Sequence, residues 1–212
     1  MFLNDLTYES GREIAFDAIR WREIVEGGPG EVPFGYADGF DSPVGTLAER
    51  RSDQVWPGAW YDASPFGTLY FVGTPDEAYH TGADLNLPGD ADRHTPVYAC
   101  ASGVVVFASR LPVWGNVIII KHDPLYTSRV VMYSRYAHIE DMIVQVGQRV
   151  ERGQQIARVG NAFGQWPYHL HFDLSPTSIL ESQPQHWPGR NYTTLIQNYV
   201  NPRLFIQHNR PR

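Results

Sequence analysis

Short apolar runs separated by Gly, Pro and Asp dominate the chain from residue 69 onward. These runs predict strands at 69–72, 83–86, 97–100, 103–109, 116–122, 129–137, 143–146, 155–159 and 169–174. Such length and spacing are typical of an all-β sandwich or barrel. Residues 144–156 have Gly at both turns and predict a hairpin-like unit, and residues 193–200 predict a short helix. We therefore expect a mainly β core.

The first part of the chain shows a different periodicity. Ser10 and Glu13 have the spacing of a capping box, and apolar residues recur every three or four positions from Ile14 to Val25. This pattern predicts one amphipathic helix over residues 10–26, which the Gly-rich sequence after it would end.

Residues 27–69 are rich in Gly, Pro and Asp and predict a long surface segment. Its aromatic side chains have two interpretations: they pin the segment to the core, or they line one wall of a cleft. The aromatic residues concerned are Trp56, Trp60, Tyr61 and Phe66.

Composition narrows the class of protein. The formal net charge of -6 argues against nonspecific nucleic-acid binding, and no apolar run is long enough to span a bilayer. A single cysteine excludes an intramolecular disulfide framework. The N-terminus lacks a basic region followed by an apolar one, so no secretory signal is visible in this chain.

Four of the eight histidines occur in patterns that suit a metal site. His80 precedes Asp84 by four positions, His169 and His171 share one face of a predicted strand, and His138 ends another strand. Two imidazoles and a carboxylate meet the needs of a catalytic zinc ion, and further histidines can transfer protons. The other four histidines have less telling contexts: His94 and His122 are expected to be ordinary polar residues near turns, and His186 and His208 receive no role.

These motifs, in this order, resemble peptidase family M23, the lysostaphin/LytM-type zinc endopeptidases of bacterial cell walls. The resemblance covers roughly residues 60–206. It rests on His80-x3-Asp84, Tyr136-x-His138, His169-Leu170-His171-Phe172, Gly115–His122, Val146–Ile156 and Asn201–Ile206. It implies an antiparallel β-sandwich or half-barrel core. Residues 1–59 have no counterpart in that core and are expected to be a helix and extended segment packed on it, with 207–212 as a tail.

The resemblance also implies roles for individual residues. His80, Asp84 and His171 would bind one Zn2+ per chain, and His138 and His169 would be the two unligated histidines of the active site. One of these two would take a proton from an activated water during cleavage of peptide bonds in peptidoglycan, and the sequence does not say which.

Three further residues are candidates for supporting roles. Asp173 stands where the family usually carries Glu and is expected either to orient a ligand imidazole or to face solvent. Tyr136 and Trp166 are candidates for the second shell of the metal or for the substrate cleft. The bulky Phe163, Trp166 and Tyr168 replace small residues of the family and would reshape the cleft.

Two other functions remain open at this stage. The same scaffold could act as a non-catalytic module that binds cell-wall peptides. Residues 144–156 also resemble the hairpin of biotinyl- or lipoyl-carrier domains, although such domains display a lysine at a turn and Lys121 lies on a predicted strand. A peptidoglycan substrate implies the cell envelope or exterior, with a leader already removed or another route of release. The oligomeric state is left undetermined.

Overall fold

The computed structural model describes residues 12–17, 20–25 and 35–211. Most of its regular elements are short strands. In chain order the elements are β1 (Arg12–Asp17), β2 (Arg20–Val25), α1 (Leu47–Arg50), β3 (Tyr61–Asp62), β4 (Leu69–Tyr70), β5 (Ala78–Tyr79), β6 (Gly82–Asn86), a 3-10 turn (Pro88–Asp90), β7 (Pro96–Tyr98), β8 (Gly103–Leu111), β9 (Gly115–His122), β10 (Tyr133–Glu140), β11 (Arg149–Val150), β12 (Gln155–Val159), β13 (Leu170–Ser175), α2 (Ile179–Ser182), α3 (Tyr192–Asn198) and α4 (Pro202–His208).

One large sheet organises the described residues. Its strand order is β11-β8-β9-β10-β13-β6-β3, and β12 joins it by pairing with both β10 and β7. The strand pairs of this sheet are antiparallel. The predicted mainly antiparallel β fold is therefore confirmed.

Both faces of the sheet are covered, which explains its continuous apolar strands. On β9, Ile118 and Ile120 belong to one apolar cluster, while Val117 and Ile119 belong to a second cluster on the opposite face. Helices α2 and α3 cover the second face and contribute buried Leu180 and Leu195.

The segment before the sheet packs on its first face. Phe40 and Val44 are fully buried, and Trp56 and Trp60 are 9% and 8% exposed within the same apolar cluster as the central strands. These aromatic rings pin the segment to the core, whereas Tyr61 is 47% exposed.

The helix predicted over residues 10–26 is wrong. Residues 12–17 and 20–25 are strands that pair antiparallel, with Phe16 opposite Trp21 in the register. Ile14 and Phe16 also alternate with polar or small residues, and β-branched and aromatic residues favour strands. The ends of the predicted helix and most of residues 1–34 lie outside the described residues.

Two predicted strands also need correction. The strand predicted at 129–137 is Tyr133–Glu140. Residues 143–146 form no strand, and Ile143 and Val146 are each 60% exposed. Residues 144–156 turn at Gly147 and Gly153, but β11 pairs with β8 and β12 pairs with β10 and β7. The expected hairpin partners are thus separated.

The end of the chain is anchored rather than loose. Helix α4 runs through the boundary predicted at residue 206, and beyond it Arg210 donates hydrogen bonds to Asp41 and to the backbone carbonyls of Arg50 and Gln54. Among the described residues no helix is long and apolar enough to cross a bilayer.

Candidate metal centre

Three side chains converge where β6 and β13 pair. His80 lies just before β6, Asp84 lies on β6, and His171 lies on β13 directly opposite Asp84. His80 Nε2 is 3.0 Å from His171 Nδ1 and 3.1 Å from Asp84 Oδ1, and His171 Nδ1 is 3.1 Å from the same carboxylate oxygen. We call these three residues the metal cluster.

The donor set of the metal cluster fits zinc. Atoms bound tetrahedrally at the usual Zn–N and Zn–O distances lie roughly 3.3 Å from one another, close to the separations found here. Two imidazole nitrogens and a carboxylate oxygen also make three mutual contacts, and these atoms do not carry enough protons for every contact to be a hydrogen bond. A cation bound by all three atoms would resolve this shortage.

Burial and hydrogen bonding act in opposite directions on Asp84. Burial alone raises the pKa of its carboxyl, but the neighbouring imidazoles of His171 and His80 outweigh that effect and hold the pKa well below its usual range. Asp84 is therefore ionised, as a metal ligand must be.

Tyr70 holds the second oxygen of this carboxylate. Its hydroxyl donates to Asp84 Oδ2 at 2.6 Å, which leaves Oδ1 for the metal cluster. Burial and the adjacent carboxylate raise the pKa of Tyr70, so the hydroxyl keeps its proton. The sequence analysis missed Tyr70, because no spacing rule links a tyrosine on β4 to the ligands.

Asp173 lies behind His171. It is fully buried, and its Oδ2 is 3.0 Å from His171 Nε2. Burial raises the pKa of Asp173, but the charge of Arg135 and the hydrogen bond from His171 lower it overall to about 2. The resulting carboxylate accepts the Nε2 proton of His171, which leaves Nδ1 as the ring atom that faces the cluster. The solvent-facing position considered for Asp173 does not occur.

His138 reaches the cluster through an irregularity in β10. The register of β10 against β9 shifts between Tyr136 and Ile139, and His138 has a φ of 61°. Bulges of this kind re-aim a side chain. The His138 Nδ1 proton is donated to the Trp114 carbonyl at 3.1 Å. Burial lowers the pKa of His138 well below its usual range, with His169 and His171 adding to the effect.

His169 lies beside His138. The centroids of the two rings are 4.7 Å apart. His169 Nδ1 donates to the Pro167 carbonyl at 2.8 Å, and its Nε2 is 3.8 Å from Asp84 Oδ1. The structure thus brings together all five residues that the resemblance singled out, and in both His138 and His169 the Nδ1–H is donated to a backbone carbonyl.

Aromatic side chains surround these groups, and we call Tyr70, Trp114, Trp166 and Trp187 the aromatic wall. The Trp187 ring centroid is 6.2 Å from those of His80 and His171 and 5.3 Å from that of Trp114. The ring centroids of Trp166 and His138 are 6.1 Å apart, and Trp166 Nε1 donates to the Val113 carbonyl. Trp114 and Trp187 carried no recognisable sequence signal.

Two other predicted placements are wrong. Tyr136 does not line the cleft: it is fully buried on the opposite face of β10, and its hydroxyl accepts the backbone N–H of Cys100 at 2.9 Å. Alternation along the strand explains this, because Arg135 and Ala137 occupy the face of the cluster. His122 is a core residue at 2% exposure rather than a turn residue, whereas His94 is exposed and pairs with Glu140.

Comparisons with known proteins agree with this geometry. The family model described as Peptidase family M23 matches residues 78–183. Over 97 residues the chain is 37% identical to peptidoglycan DD-endopeptidase ShyA of Vibrio cholerae serotype O1, covering 46% of this chain and 20% of ShyA. Over 83 residues it is 39% identical to lipoprotein NlpD of Yersinia enterocolitica, covering 39% of this chain and 78% of NlpD.

A solved structure shares the fold at low sequence identity. A chain in the structure of the SpoIIQ–SpoIIIAH pore-forming complex matches with a TM-score of 0.50 and 18% identity, covering 72% of this chain and 86% of that chain. The similarity to the Vibrio cholerae endopeptidases ShyA and ShyB spans only 20% of their length.

Proposed function

Since this chain belongs to peptidase family M23, we propose that it is a zinc-dependent endopeptidase that hydrolyses peptide bonds in bacterial peptidoglycan. The observation that carries the proposal is the convergence of three ligand atoms within 3.1 Å of one another. The names of the ShyA and ShyB relatives, both peptidoglycan DD-endopeptidases, supply the substrate class.

The metal cluster would hold one zinc ion per chain. Zinc bound there would supply a Lewis acid that lowers the pKa of water and polarises a peptide carbonyl. The chain's own contribution is to fix the ligands: Tyr70 orients Asp84, and Asp173 sets the tautomer of His171.

His138 and His169 would move the protons. Each ring commits its Nδ1–H to a backbone carbonyl, which leaves Nε2 as the atom that would exchange protons. One Nε2 would take a proton from the attacking water and then deliver it to the leaving amine, while the other histidine, with a proton taken up from solvent, would donate a hydrogen bond to the developing oxyanion. His138 and His169 have the same hydrogen bonding at Nδ1, so either could be the base in this proposal.

The remaining parts of the proposal concern the whole protein. Residues 60–206 would carry the peptidase site, on a core that the preceding segment completes, and peptidoglycan peptides would be its partner. Since that polymer lies outside the cytoplasmic membrane, the site of action would be the cell envelope or exterior. Trp166 and the other rings of the aromatic wall would contact the peptide.

The test is mass spectrometry of soluble products from two purified peptidoglycans of different cross-link chemistry, incubated with zinc-loaded protein. We expect new amino termini in at least one sample. His138→Ala and His169→Ala should each slow product formation by about 10²–10⁴-fold while zinc content stays near one per chain. The matched control His208→Ala changes an exposed histidine on α4 and should be as active as the unmodified protein.

Two results would contradict the proposal. Stoichiometric zinc without products from either peptidoglycan would favour the non-catalytic peptide-binding function. Undiminished activity in both histidine variants would remove the assigned roles even if products form.

A further inference from the structure

Arg135 is a cation buried in the middle of a strand. Its side chain is fully buried on β10, directly opposite Asp173 on β13. Arg135 Nη2 is 2.5 Å and its Nε 3.2 Å from Asp173 Oδ2. The same oxygen accepts hydrogen bonds from His171 Nε2 and from the Thr81 hydroxyl. A single carboxylate oxygen therefore links Arg135 to a metal ligand.

The other donors of Arg135 reach a different element. Nη1 donates to the carbonyls of Pro184 and His186, each at 3.0 Å. These carbonyls belong to residues 183–190, which make up most of the loop 183–191 between α2 and α3 and carry Trp187 of the aromatic wall. The guanidinium carbon also lies 3.9 Å from the ring centroid of Trp114. The side chain of Arg135 thus contacts both Asp173, which holds a residue of the metal cluster, and the part of the structure that carries the aromatic wall.

Stability alone is a poor account of this arrangement. Burying two charges costs desolvation energy that their attraction only partly returns, and apolar residues of similar volume are often as stabilising. An apolar side chain at 135, however, would provide neither a cation for Asp173 nor donors for the loop carbonyls. The planar fork of Arg meets both needs at once.

We propose that Arg135 is a positioning residue of the metal centre, which holds Asp173 against His171 and holds residues 183–190, with Trp187, beside the same ligands. This inference rests on the proposed function in one respect, namely that the metal cluster binds zinc. It adds that ligand orientation and the position of the aromatic wall depend on one side chain.

His80 shows why this support matters. Its Nδ1 is buried and has no hydrogen-bond partner among the described residues. Of the two imidazole ligands, His171 is thus the one whose far nitrogen is held by a carboxylate. Loss of that support should weaken metal binding about 10–100-fold, the usual effect of removing such a partner.

The experiment measures zinc affinity by competition with a chromogenic chelator, together with hydrogen exchange of residues 183–191. The variants are Arg135→Met, Asp173→Asn and the double variant, which avoids leaving a buried carboxylate unpaired and so keeps the test valid if Arg135→Met fails to fold. The matched control Arg152→Met removes an arginine that pairs with Asp38 and Asp41 elsewhere in the molecule.

We expect Arg135→Met and Asp173→Asn each to raise the zinc Kd at least tenfold, and the double variant to be no worse than the more affected single variant, because both act through one contact. Exchange at 183–191 should accelerate in the two variants that lack Arg135 but not in Asp173→Asn. Arg152→Met should leave zinc affinity and loop exchange unchanged, whatever its melting temperature.

Three outcomes would overturn the inference. A folded Arg135→Met with the unmodified zinc Kd removes it. So does a double variant whose Kd rises by the product of the single effects, since Arg135 would then act independently of Asp173. If the unmodified protein binds no zinc, the proposed function fails as well, and that result differs visibly from the other two.

Discussion

Four of the five residues at the candidate metal centre share one property, to which His80 is the exception: the second polar atom of the side chain is already occupied. His171 Nε2 is held by Asp173, Asp84 Oδ2 by Tyr70, and the Nδ1 atoms of His138 and His169 by backbone carbonyls. Each side chain therefore presents one defined atom to the cleft. Such preorganisation lowers the cost of holding a reactive geometry.

His122 gives a prediction about pH. It is fully buried between the Ala101 carbonyl and the Ser134 hydroxyl, and burial lowers its pKa from 6.5 to about 4. Below pH 6.5 the His122 imidazole binds a proton in the unfolded chain but stays neutral in the folded chain. The free energy of unfolding therefore falls as the pH falls from 6.5 towards 4. The loss attributable to this group is about 3 kcal/mol.

The measurement is urea unfolding at pH 7 and pH 4.5. In His122→Gln, the drop in the free energy of unfolding between the two pH values should be smaller by about 2 kcal/mol, most of the full effect, since glutamine does not titrate. His208→Gln, at an exposed position, should retain the full drop. An equal drop in all three proteins would contradict the assignment.

At the scale of elements, the sequence predicted those parts of the site that follow strand periodicity. His169 and His171 share a face because they are two positions apart, and Asp84 meets His171 because β6 pairs with β13. Arg135 left a weak signal, a charge within an otherwise buried strand. Tyr70 and Trp187 left none, because their positions depend on tertiary packing rather than on local pattern.

The bulge at His138 illustrates a second limit. Alternation from Arg135 and Ala137 puts His138 on the wrong face of β10, and only the shifted register and the φ of 61° return it to the cluster. The two-residue alternation of side chains along a strand does not predict where a bulge inserts an extra residue. The motif could be identified by resemblance, but its geometry required the structure.

A prediction at the scale of elements concerns Gly82, where β6 and β13 approach closely. A Cβ at residue 82 would lie 2.1 Å from the Phe172 carbonyl oxygen and 2.7 Å from Asp173 Cβ, so β6 and β13 could not keep their separation. We expect Gly82→Ala to lower the free energy of unfolding by about 3 kcal/mol. Zinc content should fall with it, since Asp84 and His171 face each other across the same two strands.

Gly164→Ala separates crowding from backbone strain. Gly164 has a φ of 84°, yet a Cβ there would meet no atom within 4 Å. The substitution Gly164→Ala should lower the free energy of unfolding by about 1 kcal/mol, measured by urea unfolding, and should leave the zinc content unchanged, measured by metal analysis. A Gly82→Ala protein as stable as Gly164→Ala would refute the close-approach argument.

At the scale of the whole molecule, the boundary predicted at residues 59 and 60 crosses a shared core. Phe40, Val44, Val55 and Trp56 pack with the central strands, so a chain beginning at residue 60 loses roughly 8 kcal/mol of apolar burial. That loss is comparable with the whole stability of a typical domain. We therefore expect residues 60–212 alone not to fold cooperatively.

The matched comparison is a chain that begins at residue 35 and keeps all four side chains. Thermal unfolding followed by circular dichroism should show a cooperative transition for residues 35–212 and none for residues 60–212. Equal melting temperatures would show that residues 60–206 form an independent domain after all.

The pairing of β6 with β13 also fixes when the site can exist. Asp84 and His171 are 87 positions apart, and β8, β9 and β10 come between them in the chain. Because His171 lies on β13, the pair forms only after β6, β8, β9 and β10 have all been synthesised. A growing polypeptide that has not yet reached residue 171 therefore holds His80 and Asp84 without their third partner, and the three side chains cannot come together while the intervening strands are being made.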